Sequence, residues 1–225
     1  MARFKISSDL LKVMALLSMT LDHIDKILGG NGCLAHTVGR MAFPIFAYLL
    51  ISHFYTYHPI KKYLVRLTLF GCFTSLILMP FHPTGGNILF TFLLSVIFLS
   101  ASERICDKVS DTFWQGYILG GLFLILLPFI LMSDYGLLGF LFILSLYAYI
   151  RFPDRLNTLA VFLTGILMNT GSLLSALTTA ITLFILLFGI IVIPGKRRFK
   201  WWVFYTYYPG HLLVLYILKG IFYHT

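Results

Sequence analysis

Apolar runs fill almost the whole chain, and the polar breaks between them are only a few residues long. The 225 residues are 59% hydrophobic and 11% charged, whereas soluble domains carry about 25% charged residues. Nine bilayer-crossing helices of about 20 residues would use about 180 residues and leave about four to five for each loop or tail. Loops this short exclude a soluble catalytic domain. We therefore predict one integral-membrane domain, residues 1–225, with any active site among the helices or at their ends.

Hydropathy and turn residues together predict an all-α, polytopic membrane bundle of nine spans. The seventh span is short enough to be re-entrant. Without it, however, the basic segment 196–200 would lie on the outer side of the membrane, where Lys and Arg are not expected. The predicted spans are Leu10–Leu28, His36–Tyr57, Tyr63–Met79, Ile88–Ala101, Phe113–Met132, Gly136–Ile150, Leu156–Asn169, Leu173–Ile193 and Trp202–Tyr223.

The charge distribution predicts the orientation of these spans. The chain has 17 Lys and Arg against 8 Asp and Glu, a net charge of +9. In a soluble protein this balance would suggest a nucleic-acid partner, but cytoplasmic loops of membrane proteins collect Lys and Arg. With the N-terminus cytoplasmic and the C-terminus outside, 13 of the 17 basic residues fall in inner segments and none in outer loops. We therefore expect no nucleic-acid partner.

Two other common interpretations of such a chain do not fit. The first apolar run is interrupted by charged residues and lacks a small-residue cleavage site, so we expect a retained first helix rather than a signal peptide. The three cysteines form no CxxC motif and no metal-ligand spacing. We expect neither a disulfide framework nor a metal site.

Polar side chains inside the first span mark a candidate site, since ionisable residues within a membrane usually face the protein interior and function there. Winding span one at about 100° per residue places Asp22, His23 and Lys26 on one face and most leucines on the other. Asp22 and Lys26 are four residues apart and can pair. His23 has no matched charge one turn away, which favours a functional role.

Further polar positions lie in spans two and nine. Arg40 is expected at the depth of Asp22 and needs a carboxylate, with Asp22 or Asp25 the nearest candidates. Pro44 should kink span two and free backbone groups. His211 follows a Pro-Gly pair in span nine, which favours a cavity there, although a lone histidine also suits a helix–helix hydrogen bond.

The remaining candidates lie at helix ends. Asn87 is placed to cap the fourth span, and its amide could also donate to an oxyanion. The inner basic loops could hold an anionic cofactor, although topology alone accounts for their charge. The loop residues are Lys61, Lys62, Lys196, Arg197 and Arg198.

These residue types fit two different activities. Imidazole suits general-base catalysis near neutral pH, and a guanidinium can stabilise an oxyanion. Acyl transfer to an amine or hydroxyl would use both groups. A small proton-coupled transporter would use the same residue types, and the residues themselves leave both alternatives open.

Five segments together resemble the TraX family, the pilin-acetylating proteins of conjugative plasmids. They occur in the family's order along almost the whole chain, and their combination is more specific than any one of them. The segments are ALLSMTLDHID (Ala15–Asp25), GRMAFPIFA (Gly39–Ala47), GNILFTF (Gly86–Phe92), DYGLLGFL (Asp134–Leu141) and YYPGHLLVLYIL (Tyr207–Leu218).

The resemblance implies an N-acetyltransferase of the bacterial inner membrane. It would move acetyl from acetyl-CoA to the N-terminal amine of processed conjugative pilin. A different acceptor, such as a glycan hydroxyl, would keep the chemistry, and a non-catalytic membrane chaperone for pilin is a further alternative. The family's conserved positions fall on Asp22, His23, Gly39, Arg40, Gly86, Asn87, Tyr135, Gly136 and His211.

A mechanism follows from these positions as a hypothesis. His23, oriented by Asp22, would deprotonate the acceptor amine, and Arg40 or Asn87 would stabilise the oxyanion. His211 would act as a second acid or base, or would carry the acetyl group covalently. The inner basic loops would hold the phosphates of acetyl-CoA.

Overall fold

The structure, a computed structural model, describes residues 3–29, 33–56, 60–80, 86–195 and 200–223. Within these ranges the fold is a bundle of ten α-helices with one π-helical segment and two short strands. The elements are β1 (Phe4–Ser7), α1 (Ser8–Leu28), α2 (Cys33–Gly39), α3 (Ala42–Thr56), α4 (Ile60–Leu78), α5 (Ile88–Lys108), α6 (Thr112–Met132), α7 (Gly136–Arg151), α8 (Arg155–Leu167), α9 (Leu173–Phe184), the π-helical segment Ile185–Gly189, β2 (Ile190–Ile193) and α10 (Trp201–Tyr223).

The helices fall on the predicted spans, which confirms a helical bundle, but span two is broken in the middle. α2 ends at Gly39 and α3 begins at Ala42, with a turn at Arg40 and Met41 between them. Pro44 lies in the first turn of α3, where the missing N–H of proline is tolerated. Pro44 has no N–H to donate to the Arg40 carbonyl one turn earlier, and its ring crowds that carbonyl. The predicted disruption of span two by Pro44 therefore takes the form of a break at Arg40 and Met41, which places Arg40 in a turn.

The chain also forms a small sheet that the all-α prediction missed. Span eight was predicted to stay helical to Ile193, but α9 passes through the π-helical segment and ends in β2. β2 pairs in parallel with β1, with Phe4 opposite Ile190 and Ser7 opposite Ile193. Four consecutive β-branched residues favour an extended backbone here.

The first and last helices run parallel to each other. Lys12 Nζ lies 5.1 Å from the centroid of the Phe204 ring, and Thr20 Oγ1 lies 2.7 Å from the Tyr207 hydroxyl. The contacts advance in the same direction along both helices, so α1 and α10 begin at the same end of the bundle. This arrangement is expected for an odd number of antiparallel passes, such as the nine predicted.

Much of the bundle exterior is apolar. By length and composition, three segments of the described chain could cross a membrane: Leu34–Thr56, Ile88–Lys108 and Thr112–Met132. Three shorter apolar helical segments are Gly136–Arg151, Arg155–Leu167 and Leu173–Gly189. Only 6% of the apolar window of α6 is buried inside the protein. Exposed apolar surface of this extent indicates a membrane or a protein partner.

The predicted faces of α1 agree with its burial at most positions. Leu17 and Leu21 are exposed, as a lipid face requires, and Asp22 on the polar face is buried. Lys26 on the polar face is exposed and Ile27 among the apolar positions is buried, contrary to the prediction. The inward face of α1 contributes the first side chains of the candidate site.

Candidate active site

Two histidines from opposite ends of the chain meet inside the bundle. His23 on α1 and His211 on α10 are half-buried, and His23 Nδ1 lies 2.7 Å from His211 Nε2. Their rings are stacked, with centroids 5.0 Å apart. The sequence places His23 on the polar face of span one and leaves His211 either at a cavity or in a helix–helix hydrogen bond, and the structure brings the two together. We call this pair the histidine dyad.

The hydrogen bonds of the dyad determine where its protons lie. His211 Nδ1 lies 2.8 Å from the Tyr207 carbonyl oxygen, which can only accept, so His211 Nδ1 carries a proton. In neutral His211 the other nitrogen, Nε2, then accepts, and His23 Nδ1 must donate to it. The unprotonated nitrogen of neutral His23 is therefore Nε2, which has no hydrogen-bond partner among the described residues. A lone pair in this position can act as a base.

A second hydrogen bond joins the same two helices one turn away. Thr20 Oγ1 donates to the Leu16 carbonyl oxygen at 2.8 Å, so the Tyr207 hydroxyl donates to Thr20 across 2.7 Å. At about 100° per residue, Thr20 falls among the apolar residues of α1. Its hydroxyl instead helps to hold α10 beside the dyad.

Asp22 belongs to a different network from the neighbouring His23. Asp22 Oδ2 lies 2.6 Å from Lys26 Nζ, which confirms the predicted pair. Asp22 Oδ1 lies 2.8 Å from His36 Nδ1 as a charge contact rather than an aligned hydrogen bond. The hypothesis that Asp22 orients His23 is therefore not supported by the geometry, since adjacent helical residues point in different directions.

Arg40 joins this network through His36. Arg40 Nη2 donates to His36 Nε2 at 2.7 Å, so His36 bridges the guanidinium and the Asp22 carboxylate. The predicted direct pairing of Arg40 with Asp22 or Asp25 is wrong, because none of the carboxylates in the described residues forms an ion pair with Arg40. Arg40 Nε is buried and has no partner among those residues. Arg40 lines neither of the two cavities described below.

Close packing of α2 on α1 makes this network possible. Gly39 lies so close to Asp22 that a Cβ at this position would overlap the Asp22 side chain. Only glycine allows the two backbones to approach in this way. The approach places His36 within reach of Asp22.

Asn87 caps a helix and joins two helices rather than facing a substrate. It is 1% exposed and caps α5, its Oδ1 accepting from the Leu89 backbone N–H at 3.0 Å. Its amide nitrogen donates to the Gly71 carbonyl oxygen at 3.0 Å and to Ser75 Oγ at 2.8 Å. Both amide protons are used to hold α4 against α5, so none remains for an oxyanion.

The loop between α6 and α7 is held in a strained shape near this network. Tyr135 has φ +60°, and its ring stacks on Phe43 with centroids 4.2 Å apart. The Asp134 carbonyl oxygen accepts a hydrogen bond from Thr91 on α5. Desolvation raises the pKa of the Asp134 carboxyl, and the charges of Lys26 and Arg40 oppose this shift. A bulky residue in this backbone region persists only where tertiary contacts hold it, as these contacts do.

A cavity of about 810 Å³ runs from one end of the bundle towards the dyad. One end, which we call the basic mouth, is lined by Lys12, Arg66 and Lys200 near the beginnings of α1, α4 and α10. Asp9 also lines the cavity, and its carboxylate lies 3.4 Å from Lys12 Nζ. Its apolar walls include Met19 and Phe92, and Tyr208 lines it as well. Binding cavities for small molecules typically have volumes of about 300–1,000 Å³.

Tyr208 connects this cavity to the dyad. It is 7% exposed, and its ring centroid lies 5.9 Å from that of His211 and 6.2 Å from that of His23. A molecule that enters through the basic mouth therefore ends one ring away from His23.

Of the predicted cofactor residues, the structure places only Lys62, among those it describes, at a cavity. Lys62 lines a side cavity of about 70 Å³ that shares His53, Tyr63 and Arg66 with the large one. Lys61 is exposed and lines neither cavity. Lys196, Arg197 and Arg198 lie outside the described residues. In sequence they come shortly before Lys200, which lines the basic mouth.

Several residues of the site were missed by sequence reasoning. Arg66 follows Lys62 by one helical turn, a spacing that could have placed it on the same face. His36 precedes Arg40 by one turn and could have been found in the same way. In the described part of the chain, no group of three or more His, Cys, Asp or Glu residues is arranged to hold a metal ion.

Comparison with known proteins gives one family. A family model described as TraX protein matches residues 7–219. The chain belongs to the TraX family. A probable fimbrial assembly protein FimC of Dichelobacter nodosus is 27% identical over 91% of this chain and 92% of its own length.

Two further TraX relatives support the assignment. Protein TraX of Escherichia coli K12 is 26% identical over 93% of this chain and 86% of its own length. A second Protein TraX of Escherichia coli is 28% identical with the same coverage. No solved structure matches this chain.

Proposed function

We propose that this TraX-family protein is an acetyltransferase of the bacterial inner membrane. It transfers acetyl from acetyl-CoA to the N-terminal amine of processed pilin. The observation that carries the proposal is the cavity of about 810 Å³, which leads from a basic mouth to Tyr208 beside the dyad. Its shape and charge suit a long, flexible donor with phosphates at one end and a thioester at the other.

The donor enters from the cytoplasmic side in this proposal. Lys12, Arg66 and Lys200 line the mouth and attract the phosphates of acetyl-CoA, while the apolar walls accept the pantetheine arm. The basic mouth lies where the distribution of Lys and Arg along the chain predicts the cytoplasm. We propose that the basic residues of segment 196–199, which directly precedes Lys200 in sequence, also attract the phosphates.

The acceptor approaches from the other end of α1. There Asp22 and Lys26 on α1 form a polar network with His36 and Arg40. A relative named as a fimbrial assembly protein supports a pilus subunit as the acceptor. The amine of that subunit reaches His23 without crossing the membrane.

The reaction then needs one base and one oxyanion donor. The amine nitrogen attacks the acetyl carbonyl carbon and forms the C–N bond, and its proton passes to His23 Nε2. Arg40, which keeps an unpartnered N–H, stabilises the developing oxyanion. The intermediate collapses by breaking the C–S bond, and the leaving thiolate takes the proton from His23.

Intact mass of pilin tests the proposal. Pilin from cells with the wild-type protein should carry one N-terminal acetyl group, and pilin from His23→Ala cells should lack it. Loss of a general base lowers a rate by about 10²- to 10⁴-fold. The matched control is Thr206→Val on α10, whose hydroxyl donates to a carbonyl of its own helix, and it should leave pilin acetylated.

Each other outcome has a definite meaning. Full acetylation in His23→Ala cells would show that His23 is not the base. Unmodified pilin in wild-type cells would exclude pilin as the acceptor, and acetyl-CoA turnover by purified protein with a glycan would then identify a hydroxyl acceptor. Proton-driven flux without any acetylated product would replace the enzyme with a transporter.

A further inference from the structure

We infer that His211 is a positioning residue that holds His23 in its reactive tautomer, so that acetyl passes directly from donor to acceptor. The inference rests on the proposed acetyl transfer. It excludes the alternative in which His211 carries the acetyl group. The structure supports it through three linked hydrogen-bonding groups: the Tyr207 carbonyl, His211 and His23.

The first step concerns the availability of His211. An acetyl group can attach only to an unprotonated ring nitrogen that faces the donor. His211 Nδ1 donates to the Tyr207 carbonyl oxygen at 2.8 Å, and Nε2 accepts from His23 at 2.7 Å. Both nitrogens are occupied within the protein, and acetylation of either would break a hydrogen bond of the dyad.

The second step concerns what His211 does for His23. A free histidine populates both neutral tautomers, and only the one with a proton on Nδ1 leaves Nε2 able to accept the proton of the amine. The backbone carbonyl of Tyr207 can only accept, so the proton of neutral His211 lies on Nδ1 and its Nε2 accepts from His23. The Tyr207 carbonyl on α10 therefore fixes the tautomer of His23. Serine hydrolases use a carboxylate in the equivalent position to orient a histidine base. Here the imidazole of His211, held by the Tyr207 carbonyl, orients the His23 base.

The third step concerns the fate of the proton. When the amine nitrogen bonds to the acetyl carbon, its proton moves to His23 Nε2, and His23 Nδ1–H continues to donate to His211. The imidazolium charge is then shared along the hydrogen bond, without any bond between acetyl and protein. Breakage of the C–S bond returns the proton from Nε2 to the thiolate, and the dyad regains its starting tautomers.

Two substitutions at one position separate the possible roles. His211→Ala removes the acceptor for His23 Nδ1–H. His211→Gln keeps an oxygen acceptor near the position of Nε2 but cannot be acetylated or titrate in the working pH range. We expect His211→Ala to lower kcat about 100-fold or more, and His211→Gln to restore kcat to within about tenfold of wild type.

The assay uses the purified full-length protein, radiolabelled acetyl-CoA and processed pilin, with kcat and KM measured across pH. His211→Gln should keep the wild-type KM for acetyl-CoA and the wild-type form of the pH profile, since His23 alone titrates in catalysis. Intact mass of the wild-type protein after incubation with acetyl-CoA, without acceptor, should show no acetyl adduct.

The opposite results would overturn the inference. Folded His211→Gln as inactive as His211→Ala would show that the imidazole itself is required. An acetyl adduct on His211 would establish the two-step route, and this measurement decides the question even where a variant fails to accumulate. Absence of any transfer by the wild-type protein would instead refute the proposed function.

Discussion

Replacement of Gly39 by alanine tests whether the close approach of α2 to α1 shapes the site. A Cβ at Gly39 would lie 3.0 Å from Asp22 Cα and Cγ, and closer still to Cβ. Because backbone atoms of α1 are among those met, the helices must separate. Overpacking of this kind costs about 1–3 kcal/mol, and each kcal/mol shifts Tm by about 2–4 °C in a chain of this size. We therefore expect Gly39→Ala to lower Tm by roughly 2–12 °C.

The same change should lower activity beyond its effect on stability. Asp22 contacts His36, which accepts a hydrogen bond from Arg40. Separation of α1 and α2 would break the contact between Asp22 and His36 and leave Arg40 less firmly positioned. The assay is thermal unfolding of the purified protein in detergent, with pilin acetylation measured well below Tm. In this assay kcat should fall at a temperature where the protein remains folded.

Gly120→Ala in α6 is the matched control. A Cβ at Gly120 would meet nothing within 4 Å, and alanine is the better helix former by about 1 kcal/mol. Its Tm should equal or exceed that of the wild type, with unchanged activity. If Gly39→Ala behaves like this control in both measurements, the close contact between α1 and α2 does not constrain the site.

Two further substitutions test the cavity mouth and the helix cap. Arg66→Gln should raise the KM for acetyl-CoA about 10- to 100-fold with kcat little changed, since a charged hydrogen bond contributes about 1.5–3 kcal/mol. Steady-state kinetics measures this, and an unchanged KM would remove Arg66 from the donor site. Asn87→Asp keeps the oxygen that caps α5 but loses the two donors to α4. It should lower the free energy of unfolding by about 1–3 kcal/mol without changing kcat per folded molecule. A fall in kcat at unchanged stability would contradict the structural role and favour the oxyanion role.

The hydropathy pattern predicted much of the fold because helix formation in an apolar chain is a local property. Each predicted span contains at least one observed helix, and the exposed leucines of α1 lie on the face that the 3.6-residue period assigns to lipid. The pair formed by Asp22 and Lys26 was predictable for the same reason, since both residues lie on one helix. The cap at Asn87 likewise depends on residues adjacent in sequence.

Errors in the fold arose where distant segments compete with local preference. Ile190–Ile193 is apolar enough to continue a helix, but β1, nearly the whole chain away, offers a strand to pair with. The break at Arg40 and Met41, in contrast, lies one turn before Pro44, where a proline disrupts a helix. The sequence indicated this disruption, and the structure shows that it is a full break.

The sequence by itself determined which residues could form a site: the inward-facing imidazoles, the buried carboxylate and the guanidinium. Only the tertiary structure decided how they are connected. His23 and His211 are 188 positions apart in sequence, and no local pattern indicates that contact. The partner of a side chain inside a bundle depends on how helices pack. That packing placed Asp22 with Lys26 and His36, left Arg40 a free donor, and ended the large cavity beside the dyad.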